Sequence, residues 1–208
     1  MLVQVFITVF LITVVISVAI TFIMPESYAS TCRIQVENES VASKSNTAFD
    51  PYLVQTELEV IRSQVVLEPA IARLNLNVEW GKKYFNGEVL KSTETLQIIK
   101  GRLSLVPVGN TKLIAITVYD EDRQEAAQIA NAVAESYQEY SAEKSKAAQL
   151  SGQPKSADSV SVQIIDRALP ANAPSKPNKP LNIALGMVAG IVLGGAAAAL
   201  VGLFKFRR

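Results

Sequence analysis

Two long stretches without a charged residue stand at the two ends of the chain, at residues 2–24 and 181–204. Each is long enough for an α-helix that crosses the roughly 30 Å hydrocarbon layer of a membrane, which takes about 20 apolar residues. A secretory signal would carry a basic segment before a shorter apolar core, and no basic residue precedes the first stretch. We therefore predict two transmembrane helices, with a cleaved signal as the alternative for the first.

Small residues recur at every fourth position of the second apolar stretch. In lipid, such a stripe allows two helix backbones to approach closely, so it predicts a packing face. The alternative is that glycine and alanine are simply common in membrane helices. The stripe consists of Gly186, Gly190, Gly194, Ala198 and Gly202.

Between the two stretches, residues 25–169 show the alternations of a folded domain. Cys32, Ile34 and Val36 alternate with polar residues and predict a half-buried strand. Helical spacing follows in two segments. We predict that Asp50 caps the first helix, that Ser63 separates the two, and that Pro69 opens the second.

The segment between residues 75 and 91 interleaves aromatic residues with lysines. Trp80, Tyr84 and Phe85 flank Lys82 and Lys83, a pattern that predicts either aromatic faces for a sugar or lipid headgroup or a solvated loop with anchoring hydrophobes. We favour the solvated loop, because lysines beside aromatics are more often found there.

The second half of this domain alternates strands and helices. After a short helix from Ser92, residues 103–108 and 112–119 predict a hairpin around Gly109. Asp120 is predicted to cap a long helix, and residues 160–166 to form the last strand. We expect an α+β external domain with a small mixed sheet packed on helices, flanked by the two transmembrane helices. The first and last strands should lie close together.

Prolines punctuate residues 170–180, just before the second apolar stretch. Their spacing suits the three-residue turn of a polyproline II helix, which is stiff and has no internal hydrogen bonds. We predict a rigid strut, with a plain linker as the alternative. The prolines are Pro170, Pro174, Pro177 and Pro180.

The distribution of charge predicts the orientation of the two helices. A basic tail at residues 205–208 follows the second apolar stretch, and such clusters stay in the cytoplasm. Both termini are therefore predicted to be cytoplasmic and residues 25–180 to be external, periplasmic or extracellular. The external part carries all 19 acidic residues and most of the 20 basic ones, so nothing in its charge indicates a nucleic-acid partner.

The chain is poor in residue types that perform catalysis. It contains no histidine and only one cysteine, Cys32, which can form neither an internal disulfide nor a thiolate metal cluster. No phosphate-binding glycine loop and no nucleophile elbow is present. We expect neither an enzyme nor a bound cofactor or metal.

Four stretches resemble the polysaccharide co-polymerases, the Wzz-type chain-length determinant family of bacterial envelopes. They are PESYAST, YLVQTELEVIRSQVVLEPAIARLNL, LIAITVYDEDRQEAAQIANAVAESY and VQIIDRALPANAPSKPNKPLNIALGMVAGIVLG. The last is the most specific, because it joins a strand, a proline segment and a glycine-rich membrane span. The positions that match the family's motifs are Tyr28, Ser63, Asp122, Ala126, Asn131 and Asp166.

The resemblance implies a homo-oligomer in the cytoplasmic membrane, in contact with membrane lipid. It implies a role in setting the length, or supporting the polymerisation and export, of a surface polysaccharide, without a catalytic centre. Its partners would be a polymerase or export machinery and, in many systems, a tyrosine kinase, here a separate polypeptide because no kinase domain follows Arg208. Two rival interpretations remain open: a sensor subunit for such a kinase, and a structural adaptor of another envelope exporter.

Overall fold

The computed structural model of the chain describes residues 2–38, 51–150 and 160–206. These residues form two compact units, one made of Met1–Ser27 with Pro174–Arg208 and the other of Tyr28–Ala173. Several predicted features lie outside the described residues: the loop after the first strand, the Asp50 cap, the linker after the long helix and the last two arginines of the basic tail.

The first unit is a pair of apolar helices, α1 (Leu2–Ile23) and α7 (Lys179–Phe206). Both are long and apolar enough to cross a membrane, and most of the surface of each is exposed. Neither is therefore the buried core helix of a soluble domain. Helix α7 begins two residues earlier than predicted, because Pro180 lies in its first turn, where the missing N–H of proline costs no hydrogen bond.

The second unit contains a sheet of four strands, in the order β2-β3-β1-β4. The strands are β1 (Tyr28–Asn38), β2 (Leu103–Pro107), β3 (Leu113–Asp120) and β4 (Val160–Asp166). The first and last strands pair directly, as predicted. The hairpin around Gly109 is confirmed, with a positive φ of 56° at that residue, and β3 lies inside the sheet.

The α+β class is confirmed, but the expectation of a mixed sheet is wrong in one respect. All three pairings between the described strands are antiparallel. Strands β1 and β2 do run in the same direction, yet they are not neighbours. The tight hairpin returns β3 between them, and each adjacent pair is therefore antiparallel.

Five helices complete the second unit. They are α2 (Pro51–Arg62), α3 (Gln64–Arg73), α4 (Leu76–Tyr84), α5 (Ser92–Arg102) and α6 (Arg123–Leu150). Helix α6 packs on β1, β3 and β4, and α3 packs on α6. The core between them is built from aliphatic side chains such as Ile34, Ile61, Ile116 and Val133, all fully buried.

Ser63 separates α2 from α3 as predicted, but Pro69 does not open the second helix. It lies inside α3, which starts at Gln64 directly after Ser63. Proline removes one hydrogen bond, to the carbonyl of Val65. That residue is 59% exposed, so solvent can satisfy its carbonyl. The helix is kept by the burial of Val66 and Ile71 rather than by a continuous hydrogen-bond ladder.

The aromatic segment is a helix, and the predicted solvated loop is therefore wrong. Trp80 lies in α4 and is fully buried, whereas Phe85 follows the helix and is 44% exposed. A platform of aromatic faces for a sugar is excluded for Trp80 by the same burial. The lysines in this segment made the helical spacing of its buried residues, Leu76 and Trp80, hard to recognise in the sequence.

The N-terminus of α6 is capped by Asp122, not by Asp120. The carboxylate of Asp122 accepts the backbone N–H groups of Gln124 and Glu125 at 2.8 and 3.4 Å. Asp120 is instead the last residue of β3, and its side chain is buried. Beyond Tyr140 the helix continues to Leu150, which the polar sequence there allowed.

Candidate functional sites: the helix pair, the α6 seam and the ion cluster

The glycine stripe of α7 lies against α1. Gly186, Gly190 and Gly194 are buried, and Ala198 and Gly202 are half-buried. A Cβ atom at Gly190 would stand 2.9 Å from the ring of Phe10, and one at Gly194 would stand 3.0 Å from the ring of Phe6. The hydrogen atom of glycine is therefore what lets the two backbones approach this closely.

Polar groups join the two helices where α1 ends and α7 begins. Ser17, opposite Gly186, donates a hydrogen bond from its Oγ to the carbonyl of Asn182 at 3.2 Å. The ammonium of Lys179 contacts the carboxylate of Glu26 at 2.8 Å. A short β-bridge joins Ser27 to Lys176, so the two chain segments that leave the helices are paired at once.

The prolines of the predicted strut have different surroundings. The chain bends at Asn172 and Ala173, between Pro170 and Pro174. Pro177 follows the bridge residue Lys176, and Pro180 belongs to α7. A single uninterrupted polyproline II helix over residues 170–180 is thus not formed, and the mechanical role of the segment stays a prediction.

Asn131 holds the segment that follows β4. Its side-chain amide donates to the carbonyl of Ala168 at 3.0 Å, and its oxygen accepts the N–H of Ala168 at 2.8 Å. Ala168 is 4% exposed, so both backbone groups would be buried without a partner if the amide were absent. Among the family-motif positions, this one has the clearest structural purpose.

Two further side chains of α6 continue this seam along β4. Gln138 donates to the carbonyl of Val162 at 3.0 Å, and Ser141 donates to the carbonyl of Val160. With Asn131 they form one stripe, which we call the α6 seam, along the strand that ends the sheet. The stripe satisfies backbone groups that an edge strand would otherwise leave free.

The other family-motif positions are structural and do not form a common site. Tyr28 opens β1 opposite Asp120, and Ala126 is fully buried in α6. The Oγ of Ser63 donates to the carbonyl of Val60 at 2.6 Å. Asp166 lies opposite Arg33, with 3.5 Å between the charged groups.

Charged side chains from four elements meet at a second place, which we call the ion cluster. Arg102 of α5 pairs with the buried carboxylate of Asp120, and its guanidinium lies 4.8 Å from the ring centroid of Trp80. Lys83 contacts Glu125 at 2.7 Å and Asp120 at 3.8 Å. The indole N–H of Trp80 donates to Glu125. The cluster therefore ties α4 to β3, α5 and α6.

In the ion cluster, burial and the interactions with neighbouring charged and polar groups shift the pKa values in opposite directions. Burial alone would lower the pKa of Lys83, but the hydrogen bond to Glu125 and the neighbouring Tyr84 hydroxyl outweigh burial and raise it. Burial raises the pKa of Asp120, against the opposing effect of the Asp122 N–H and Arg102. Sequence patterns had singled out Trp80 and Asp120 but not Arg102 or Glu125, because charged residues at helix ends carry no local sign of a distant partner.

Cys32 is fully buried in β1, so its thiol is shielded from solvent. Burial raises the pKa of the Cys32 thiol to about 11, and the thiol is therefore protonated at neutral pH. A protonated, enclosed thiol is a packing group and a poor nucleophile.

Comparison with known proteins matches two regions of the chain to protein families. Residues 3–74 match the Wzz family, described as chain length determinant protein. Residues 124–201 match the GNVR family, described as a G-rich domain on putative tyrosine kinase. The first region covers α1, β1, α2 and α3, and the second runs from α6 into α7.

Two curated relatives carry the name capsular polysaccharide biosynthesis protein CpsC. The protein from Streptococcus pneumoniae is 26% identical over 177 residues, which are 83% of this chain and 65% of that protein. The protein from Streptococcus agalactiae is 26% identical over 190 residues, 89% of this chain and 70% of that protein. The chain thus spans about two thirds of the length of these relatives. With both matched regions in order, the resemblance seen in the sequence is confirmed: the first part of the chain is similar to the Wzz-type chain-length determinant proteins and the last part to the GNVR domain.

Proposed function

We propose that this protein is a non-catalytic, oligomeric membrane scaffold that regulates the chain length, or supports the polymerisation and export, of a bacterial surface polysaccharide. The observation that carries this proposal is the order of the two family regions, with an apolar helix in each. The names of the relatives favour a capsule over an O-antigen or another exopolysaccharide.

The geometry supports a role through shape rather than chemistry. Wzz-type proteins are generally non-catalytic, and the polar groups described above are engaged in holding elements together. Arg102, Asp120, Lys83 and Glu125 bind one another, and Asn131 is committed to a backbone. A scaffold needs such rigidity, because it acts on its partners by presenting fixed surfaces.

We further propose that the protein lies in the cytoplasmic membrane, with both termini in the cytoplasm and the second unit outside. The basic tail after α7 supports this orientation, because its three basic residues outnumber Lys176 and Lys179 at the other end of the helix. The periplasm or the space beneath a cell wall would then hold the α+β unit.

The deciding experiment compares polysaccharide length in a strain that lacks this gene with the same strain complemented by the wild-type gene. We expect a shift in the length distribution or amount of one surface polysaccharide, restored by complementation. The protein, extracted from the complemented strain in mild detergent, should have the mass of a closed ring of several copies when it is measured by light scattering. Unchanged polysaccharide together with a monomeric mass would contradict the proposal and favour a structural adaptor of another exporter.

A second candidate function is the modulation of a separate cytoplasmic tyrosine kinase. The description of the GNVR family as a domain on putative tyrosine kinases favours it. Co-purification of a kinase with the tagged protein, and loss of its tyrosine phosphorylation in the deletion strain, would support this function. Normal phosphorylation in the deletion strain would count against it.

We also propose that the proline segment is a rigid connection between the second unit and α7. Pro174 and Pro177 lie between the bends at residues 172–173 and the start of α7. Replacement of both prolines by alanine should broaden or shift the polysaccharide length distribution at normal protein levels. An unchanged distribution would indicate a plain linker.

A further inference from the structure

An open groove of about 490 Å³ lies between α4 and the first turns of α6. This volume falls in the range of about 300–1,000 Å³ that is common for small-ligand sites. Seven of its nine lining residues are polar or charged, and the other two are leucines, so the groove offers both hydrogen-bonding groups and apolar surface. The lining residues used below are Leu74, Glu79, Lys82, Asp122, Gln124 and Gln128.

The ion cluster fixes the two walls of this groove. Lys83 of α4 is bound to Glu125 of α6, and Trp80 donates to the same carboxylate. Asp122 is held by its bonds to the backbone at the start of α6. The walls are therefore set before any ligand arrives, which lowers the entropic cost of binding.

The α6 wall of the groove carries two exposed side-chain amides. Gln124 and Gln128 are one helical turn apart on α6, and both are exposed. Neither side-chain amide has a hydrogen-bond partner among the residues that the structure describes. Each amide offers two donors and an acceptor, so the pair presents a ladder of alternating donors and acceptors along the groove.

The charges on the groove are mixed and nearly balanced. Glu79 contacts Lys82 at 3.2 Å on the α4 wall, and Glu125 contacts Lys83. Such internally paired charges attract neither a polyanion nor a polycation strongly. The half-buried side chain of Leu74 adds an apolar surface to the groove.

We propose that this groove binds a short stretch of uncharged sugar units of the polysaccharide that the protein serves. Neighbouring hydroxyl groups of a sugar both donate and accept, which suits paired amides, and the C–H face of a sugar ring suits an apolar surface such as Leu74. Paired wall charges and a fixed shape complete the match. The inference rests on the proposed function, since that function brings the polysaccharide to this protein.

The test uses the full chain in detergent or nanodiscs and short oligosaccharides from partial acid hydrolysis of the strain's surface polysaccharide. Binding is measured by saturation-transfer NMR and by titration. The test variant is Gln124→Ala with Gln128→Ala. The matched control is Gln97→Ala, which removes an exposed amide from α5 outside the groove.

We expect the wild type and the control to bind equally, and the double variant to bind roughly tenfold or more weakly, as two lost hydrogen bonds would give. In cells, the double variant should alter polysaccharide length while the protein level stays normal. Absence of oligosaccharide binding by the wild type, or equal binding by the double variant, would overturn the groove as a sugar site. A segment of a second copy as occupant would show itself by a smaller oligomer in the double variant with unchanged sugar binding.

These outcomes separate the groove from the proposed function. If deletion of the gene changes polysaccharide length but the double variant binds and functions normally, the scaffold proposal stands and the groove proposal fails. If deletion has no effect on any surface polysaccharide, the proposed function fails, and the direct binding measurement still decides the groove.

Discussion

Several elements of this protein are connected by single side chains that make two hydrogen bonds or ion pairs, and Asn131 is the clearest case. It reaches from α6 to both backbone groups of Ala168, at 2.8 and 3.0 Å. Nearby, Arg167 binds Glu135, which also binds Arg73 of α3. The segment after β4 is therefore positioned by one buried contact and by exposed ion pairs that contribute less.

The first prediction concerns this amide. Asn131→Ala leaves the N–H and C=O of Ala168 without partners in a buried place, which should cost about 1–3 kcal/mol of unfolding free energy. Asn131→Asp keeps the acceptor for the N–H but sets a carboxylate oxygen against the Ala168 carbonyl, so it should not restore the stability of the wild type. Urea unfolding of the purified protein, followed by circular dichroism, measures the difference. Equal stability of wild type and alanine variant would contradict the role given to Asn131.

The second prediction concerns Cys32 and pH. The folded state raises the pKa of this thiol from 9.0 to about 11, so the proton is bound more tightly in the folded chain than in the unfolded one. The resulting stability is fully present below pH 9 and is lost as the pH rises through 11, by roughly 2 kcal/mol. Unfolding titrations at pH 8 and pH 11 should show a smaller loss for Cys32→Ala than for wild type. An equal loss in both would refute the pKa shift.

At the scale of elements, the two helices of the first unit are held together by close packing and hydrogen bonds rather than by the hydrophobic effect. Lipid is as apolar as leucine, so helices in a membrane associate through close packing and hydrogen bonds. The stripe on α7 supplies the packing, and the bond from Ser17 to the Asn182 carbonyl supplies a polar contact. The pair α1 and α7 is thus an intramolecular unit, whatever further contacts each copy makes.

The third prediction tests that packing. Gly190→Ala places a Cβ 2.9 Å from the Phe10 ring, and such overpacking typically costs about 1–3 kcal/mol. Gly195→Ala is the matched control, since nothing lies within 4 Å of its Cβ position. Thermal unfolding in detergent should show a lower midpoint for the first variant alone. Identical midpoints for both would mean that the helices are not in contact at Gly190.

The fourth prediction addresses the ion cluster. Arg102→Met leaves the buried Asp120 carboxylate with Lys83 at 3.8 Å as its remaining cation, so we expect a loss of roughly 3 kcal/mol. Lys82→Met breaks an exposed pair with Glu79 and should cost less than about 1 kcal/mol. Denaturant unfolding of both variants measures the contrast. A loss for Arg102→Met as small as that for Lys82→Met would show that the cluster contributes little.

The elements that the sequence predicted well are those with local periodicity. Strand β4 was expected at residues 160–166 and the hairpin around Gly109, and both are present. Helix α4, the interior position of Pro69 and the capping of α6 by Asp122 were missed. Helix α4 and the interior position of Pro69 depend on contacts distant in sequence, such as Trp80 with Glu125, which override local propensity. The cap itself is local, but Asp120 is paired with Arg102, and Asp122 caps the helix instead.

The same division holds for the candidate sites. The glycine stripe could be foreseen because helical spacing alone brings its members to one face. The α6 seam and the ion cluster could not, since Asn131 and Ala168, or Arg102 and Asp120, meet only after the sheet has formed. A family motif pointed to Asn131 without giving its partner.

At the scale of the whole molecule, the chain begins and ends with its two apolar helices and holds the α+β unit between them. The fifth prediction is that this unit and the C-terminus lie on opposite sides of the membrane. In a Cys32→Ala background, Gln97→Cys should react with an impermeant maleimide on intact cells, whereas Arg208→Cys should react only after permeabilisation. Labelling of both positions, or of Arg208→Cys alone, on intact cells would refute the proposed topology.

The α6 seam also affects whether copies of the protein can aggregate through the edge of the sheet. Backbone groups at a sheet edge are a template on which another chain can add a strand, and repeated addition leads to aggregates without a defined size. Along β4 the carbonyls of Val160 and Val162 are already occupied by Ser141 and Gln138. A further strand could not bond to these two carbonyls, so in the ring that we propose the copies would meet through side chains instead. A protein that regulates the length of another polymer would thus have a sheet edge that resists its own open-ended polymerisation.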